Sequence, residues 1–227
     1  MKKFKIRYKE TGLFVLTDKD LKERIEKELI FHYNLLENYI RRNPLFLASY
    51  EPLTIEKDAP LIVKLMADSA KRAGVGPMAS VAGTFSELIG NFILKNSKDV
   101  IVENGGDIFL KVTKQRVVGI FSGTSQFSER IGFRINPEET PLGICTSSGS
   151  VGHSISLGES DSVTVISKSC SLADASATAI GNCVKGENGI EKGIEKAKSI
   201  EGIDGVLIIK GEKMGMYGRL PEVIRTF

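Results

Sequence analysis

Apolar and polar residues change period several times along the chain, and each change marks an element. Phe4 to Leu16 alternates about a break at Glu10-Thr11-Gly12, the pattern of a hairpin with one buried face. From about residue 18 to residue 42 the apolar positions Leu21, Ile25, Leu29, Phe31, Tyr33, Leu36 and Ile40 recur at helical spacing and predict a long surface helix. His32 lies on it with only Glu28 as a ligand-type neighbour at helical spacing, so it reads as a structural histidine. Residues 43–60 form a Pro-containing connector with a candidate strand at 45–50, and Pro60 opens a second helix to about Ala73.

The segment Gly74-Val75-Gly76-Pro77-Met78-Ala79-Ser80-Val81-Ala82-Gly83 has little side-chain bulk, and a third amphipathic helix follows through Leu88, Ile89, Phe92 and Leu94. Small residues there would let a ligand approach the backbone; they would equally let two helices pack tightly, and Thr84 with Glu87 fits a capping box. Residues 100–112 are a hairpin turning at Gly105-Gly106, and further strands at 116–121 and 129–135 make this part a meander. That order, with no GxGxxG, argues against a dinucleotide-binding fold of alternating strands and helices.

Residues 143–153 run from a strand end into a Gly/Ser loop, Thr146-Ser147-Ser148-Gly149-Ser150, that reaches His153. Such a loop can cradle an anion with its N–H groups, or simply be solvated. The apolar run 162–166 then reads as a strand and Ser169 to Asn182, rich in Ala, as a helix. Asp174 and Thr178 are four apart and share a face, so a carboxylate and a hydroxyl can converge as two hard oxygen donors suited to Mg²⁺. Ser171 with Asp174 also fits a capping box, which would make Asp174 a helix cap. Residues 189–200 read as a charged helix, 206–210 as a strand and 213–217 as its hairpin partner. The whole predicts an α+β fold, mainly antiparallel sheets packed with helices, as one domain over residues 1–227; a subdivision near residues 60–76 is the one boundary the pattern would allow.

Composition narrows the function classes. A 41% hydrophobic and 26% charged chain of 227 residues is ordinary for a globular protein with a real core. The net charge of +3 is scattered and Trp is absent, so neither a nucleic-acid footprint nor a membrane patch stands out; a small-molecule or protein partner is expected. No apolar run suits a signal peptide or a membrane span, and a cytoplasmic location is expected. Cys145, Cys170 and Cys183 are too few and too irregularly spaced for a zinc motif or a disulfide framework, and are expected as reduced thiols.

Four features in order carry a resemblance over roughly residues 76–183: a small-residue segment entering a helix, a strand ending in Gly105-Gly106-Asp107, a Thr146-Ser147 loop followed by His153, and a strand followed by Ala173-Asp174-x-x-x-Thr178. Together they resemble the ApbE superfamily, whose best-known members are Mg²⁺-dependent FAD:protein FMN transferases. The resemblance implies that Asp174 and Thr178 bind Mg²⁺ with a backbone carbonyl from Val81 or a neighbour, that the metal holds the FAD pyrophosphate, and that Gly83, Gly105, Gly106, Asp107, Thr146, Ser147 and Gly149 line the nucleotide pocket. It also implies a protein acceptor; self-association is compatible with the sequence.

The chain departs from the transferase pattern at three places. Ala82-Gly83 stands where flavin transferases carry Lys-Gly, His153-Ser154-Ile155-Ser156-Leu157 replaces a His-x-x-Asp-Pro segment, and Ser148 is an extra residue in the Thr-Ser-Gly loop. The sequence is thus similar to a short branch of the superfamily with no assigned activity. Two alternatives to flavin transfer follow. One is a non-catalytic pocket or assembly protein, with Asp174 only a cap. The other is sulfur transfer: if Cys145 and Cys170 share a pocket with His153, a thiol there with a lowered pKa becomes a nucleophile, alongside Asp174 as the remaining catalytic candidate; inert packing is the competing expectation for both cysteines.

Overall fold

A computed structural model describes residues 1–148 and 158–226. Its helices are α1 (Lys22–Arg42), α2 (Leu45–Ala48), α3 (Leu61–Ala73), α4 (Val81–Leu94), α5 (Cys170–Cys183) and α6 (Gly189–Lys198). The strands are β1 (Lys2–Tyr8), β2 (Thr11–Thr17), β3 (Val100–Asn104), β4 (Asp107–Lys111), β5 (Arg116–Gly119), β6 (Ile131–Ile135), β7 (Leu142–Ser147), β8 (Ser162–Ser167), β9 (Ile203–Lys210), β10 (Lys213–Gly218) and β11 (Glu222–Arg225).

An eight-stranded sheet in the order β1-β2-β3-β4-β7-β8-β9-β10 has every neighbouring pair antiparallel. The excursion between β4 and β7 carries β5 and β6, which β11 joins from the C-terminal side in a three-stranded sheet. The period of two in the sequence sorts the large sheet's side chains onto two faces. Val15, Val102, Phe109, Cys145, Val163, Val165, Val206 and Ile208 face the helices. Leu110, Leu142, Ile144, Ile166, Leu207 and Ile209 pack with Ile120, Phe133 and Ile135 toward the small sheet. Both faces are covered at β8, and all six of its residues are buried.

Helix α5 is the centre of the helical layer. It packs on β7, β8, α3, α4 and α6. Ala173, Ala175, Ala177, Ala179 and Ile180 are all buried, as expected of a helix with neighbours all round. Glycines set the closest approaches. A Cβ on Gly143 of β7 would stand 2.5 Å from the Cα of Cys170, and one on Gly90 of α4 would overlap the Phe109 ring.

Three local expectations are corrected. Residues 45–50 do not form a strand: Leu45–Ala48 is a helical turn that buries only Phe46 and leaves Leu45 and Leu47 exposed. On α1 the buried stripe is Ile25, Leu29, His32 and Leu36, so Phe31 points to solvent and His32 inward, 3.2 Å from Glu28 Oε1. Burial pulls the His32 pKa below its ordinary value against the opposing effect of Glu28, in keeping with a structural histidine. Residues 76–83 are not an open loop, because Pro77–Ser80 is a 3₁₀ turn leading directly into α4. Among the described residues, no helix is long and apolar enough to cross a membrane.

The Gly90→Ala chain should be less stable than the parent by about 1–3 kcal/mol, the usual cost of overpacking a well-filled core. Urea unfolding of the two proteins side by side measures the difference.

Candidate active site

The N-terminal turns of α4 and α5 lie side by side, running in opposite directions, and each receives a carboxylate from the other. Glu87 of α4 accepts from the Ser171 N–H (2.9 Å) and the Ser169 hydroxyl (3.0 Å) at the start of α5. Asp174 of α5 accepts from the Gly83 N–H (Oδ2, 2.8 Å) and faces the Ala82 N–H at the start of α4. The two capping boxes read from local spacing are therefore not used on their own helices. Ser169 is the N-cap of α5, accepting from Leu172 N–H at 3.2 Å, and neither Glu87 nor Asp174 caps the helix that carries it. Between the carboxylates runs a buried hydroxyl chain, Ser69 to Ser171 (2.9 Å) and Ser171 to Thr84 (2.6 Å), with Thr84 donating to the Ser80 carbonyl. A Cβ on Gly83 would stand 2.5 Å from the Cys170 carbonyl oxygen and 2.7 Å from Asp174 Cβ, so only glycine lets the helices meet there.

This crossing holds Asp174 against the sheet. Asp107 opens β4 directly after the Gly105-Gly106 turn, where both glycines have positive φ (+63° and +104°), as a two-residue hairpin turn requires. The Ser86 hydroxyl donates to the Asp107 carbonyl and Asn104 Nδ2 to the Ala82 carbonyl, fastening the hairpin end to α4. The Asp107 carboxyl is buried and its Oδ1 has no hydrogen-bond partner among the described residues. Burial raises its pKa well above the carboxylate range and the Asp174 charge raises it further, while the Cys145 thiol and the Thr146 N–H pull the other way. Asp174 is pushed up to about 7 by desolvation, against the two N–H groups of α4. No cationic side chain among the described residues figures in the surroundings of either carboxyl.

The remaining candidates fall around this pair. Thr178 lies one turn beyond Asp174 on α5, half-buried. The Ser147 hydroxyl is buried without a partner among the described residues, whereas the Thr146 hydroxyl pairs with Thr164 (2.9 Å) in β8, so Thr146 offers the Asp107 carboxyl its N–H alone. Val81 opens α4 with its side chain against the core that includes Ile25, Met66 and Phe85. Gly149 and His153 lie outside the described residues. Cys145 and Cys170 are fully buried, with their sulfurs 3.5 Å apart. Burial is the main cause that raises both thiols, Cys170 to about 11 and Cys145 well above its ordinary value, the reverse of the lowered pKa on which the sulfur-transfer alternative depends and the direction that inert packing expects. Sequence reading overlooked Glu87 as a site-building residue and Ser86 as the clamp on Asp107. Both bonds join segments distant in sequence, and no local spacing signals them.

The model of the family described as AbpE bacteria matches residues 1–202. The protein belongs to that family. Among relatives, the chain is 50% identical to a UPF0280 protein of Methanococcus maripaludis strain C7, over 98% of this chain and 92% of that one. It is 43% identical to a UPF0280 protein of Methanocaldococcus jannaschii, over 99% and 93%. Solved structures place this AbpE chain in the ApbE-like α+β fold. It is similar to the apo flavinyl transferase ApbE of Pseudomonas stutzeri (TM-score 0.60, 15% identity, 95% of this chain and 93% of that one). It is also similar to the flavin transferase ApbE of Vibrio cholerae (TM-score 0.53, 18% identity, 95% and 96%).

Two measurements test the electrostatics of this AbpE site. A carboxyl whose pKa is raised by folding binds more protons folded than unfolded, so between its ordinary value of 3.8 and its folded value of about 7 the stability contribution falls as pH rises. Metal-free protein should therefore lose melting temperature from about pH 4 to pH 7, and Asp174→Asn should flatten that slope. In native protein at neutral pH, iodoacetamide should label the half-buried Cys183 and leave Cys145 and Cys170 unmodified until denaturant is added, as read by peptide mass mapping.

Proposed function

We propose that the chain binds a flavin dinucleotide, FAD, or a related nucleotide diphosphate through Mg²⁺ at the Asp107–Asp174 site, with FMN transfer to a protein acceptor as the attached chemistry. The observation that carries this reading is the carboxylate pair itself: two acidic side chains raised in pKa by burial, one with an orphaned oxygen, and no cationic partner among the described residues.

The residues suit a hard divalent cation. Among the described residues no three His, Cys, Asp or Glu side chains converge as a ready-made metal cage. Mg²⁺ does not need one, because it is ordinarily held by one or two carboxylates, with the remaining positions filled by water and substrate phosphate. Asp174, Thr178 and a backbone carbonyl near Val81 would hold the ion, with Asp107 close by. Bound there, Mg²⁺ would neutralise pyrophosphate charge and polarise a P–O bond. The Gly105-Gly106 turn beside Asp107 opens to free space, since a Cβ on either glycine would touch nothing within 4 Å. With Asp174 on the ion, Asp107, kept protonated by burial, would be the group able to give a proton within the site.

A second reading keeps the fold as a non-catalytic pocket. It draws on Asp174 already serving the start of α4 and on Ala82 standing where transferases carry Lys. The sulfur-transfer alternative finds no help in the thiols' position, because a persulfide carrier needs an accessible thiolate and both Cys145 and Cys170 are fully buried.

Calorimetry of the purified chain with FAD separates the first two readings. Binding should require Mg²⁺, vanish with EDTA, and weaken at least about tenfold, some 1.4 kcal/mol, in Asp107→Asn or Asp174→Asn. Heat that is absent with and without Mg²⁺ would leave the non-catalytic pocket.

A further inference from the structure

Two buried nucleophiles have no part in the proposed chemistry. Cys145 sits in the middle of β7 and Cys170 is the first residue of α5, 25 positions away in sequence, yet their Sγ atoms are 3.5 Å apart and both residues are fully buried. The Cys145 Sγ also lies 3.3 Å from the Cys170 carbonyl oxygen. Backbone contact at this point is as close as the chain allows, because Gly143, two residues before Cys145, has no side chain to hold the start of α5 away: a Cβ there would be 3.0 Å from the Cys170 Cβ. Bridged cysteines have their sulfurs at about 2.05 Å, and the two sulfurs here, already in van der Waals contact at 3.5 Å, have to close the remaining gap by turning their side chains.

We propose that Cys145 and Cys170 form an oxidation site, a dithiol that closes to an intramolecular disulfide under peroxide. The Cys170 sulfur, at the first turn of α5, attacks one oxygen of hydrogen peroxide. The O–O bond breaks, a sulfenic acid forms and one water leaves. The Cys145 sulfur then displaces the sulfenic oxygen as a second water, losing its proton and forming the S–S bond. In sum, two thiols and one peroxide give one disulfide and two waters. Full burial and the raised pKa of Cys170 make the first step slow and open only to a small uncharged oxidant such as peroxide, not to a bulkier alkylating reagent or sulfur donor; the second step is then favoured, since the sulfenic acid is enclosed with a thiol already in contact and is shielded from further oxidant.

Closure reaches the candidate active site. The Cys145 thiol lies near the Asp107 carboxyl and partly opposes the rise in pKa that burial gives it, and a disulfide has no proton to donate. Oxidation would thus remove one donor from Asp107 and tie β7 to the start of the helix that carries Asp174.

The test uses the full chain, reduced, freed of reductant and treated with hydrogen peroxide under native conditions. It is then unfolded in N-ethylmaleimide and digested without reductant for mass spectrometry. A Cys145–Cys170 linked peptide should accumulate, lighter than its parts by two hydrogens, with Cys183 recovered outside any bridge to either. The oxidised chain should melt higher than the reduced one, and Cys145→Ser should lose both effects. The same peroxide on urea-unfolded chain should give mixed pairings, showing that the fold selects the pair. If Cys145 and Cys170 are both recovered as maleimide adducts after a dose that oxidises Cys183, or if either is found bridged to Cys183 in native protein, the proposal is overturned. The wild-type peptide map decides this even where the serine variant does not fold.

Discussion

The exchange of carboxylates between α4 and α5 is the constraint on which the rest of the site depends. A helix start leaves N–H groups without intrahelical partners, and burying them unpaired costs about 1–3 kcal/mol each. Both helix starts are buried here against each other, and each is satisfied from across the contact, Glu87 serving α5 and Asp174 serving α4. The arrangement works only at short range, which is why Gly83 stands at the crossing and why Ser69, Ser171 and Thr84 fill the remaining gap with hydroxyls that satisfy one another. Because α5 is also pressed onto β7 at Gly143, the same contact delivers Asp174 to the edge of β4, beside Asp107.

The two ends of this exchange are not equivalent. A carboxylate that serves only as a cap, accepting from N–H groups at the positive end of a helix, has its pKa lowered. Asp174 accepts from two such groups and is nonetheless raised to about 7, so desolvation outweighs the cap. Its near neighbour Asp107 is raised as well and keeps an unpaired oxygen. A fold seeking stability alone would gain by replacing one of the pair with an amide. Two acidic groups placed where burial opposes their charge are a local cost to the fold, and that cost is what the proposed binding site rests on.

Much of this was legible in the sequence because it is written in periodicity. The alternation of β1 and β2, the Gly105-Gly106 turn and the helical run of α3 each follow from local physics, and all form as expected. Residues 45–50 misled because the aromatic Phe46 and Tyr50 favour a strand, while Leu45, Leu47 and Ala48 favour a helix, and Pro44 with the packing of Phe46 shaped a helical turn. Strand β11 went unseen because Val223 and Ile224 show no alternation, and its register is set by pairing with β6. The caps were misassigned for a related reason: serine with an acid three residues on looks the same whether the acid turns back on its own helix or crosses to the next. The convergence of Asp107 with Asp174 came from resemblance, since no spacing rule connects positions in a strand and a helix separated by two sheets' worth of chain.

Electrostatics also orders the proposed binding. Loops and helix starts commonly attract phosphate through free N–H groups and the helix dipole. At α4 that positive end is already met by Asp174, and no lysine replaces it, because Ala82 holds the position before Gly83. Whatever negative charge Asp107 and Asp174 keep against burial is not offset by an ion pair among the described residues, and it opposes a diphosphate. On the proposed reading the residues alone would repel the nucleotide, and a cation has to be present to reverse the sign of the site. The missing lysine then has a physical consequence: a chain that carried it could retain some attraction for the anion without metal, whereas here the dependence on the cation is complete, and FAD affinity should follow the protonation of Asp107 and Asp174 only through their hold on that cation.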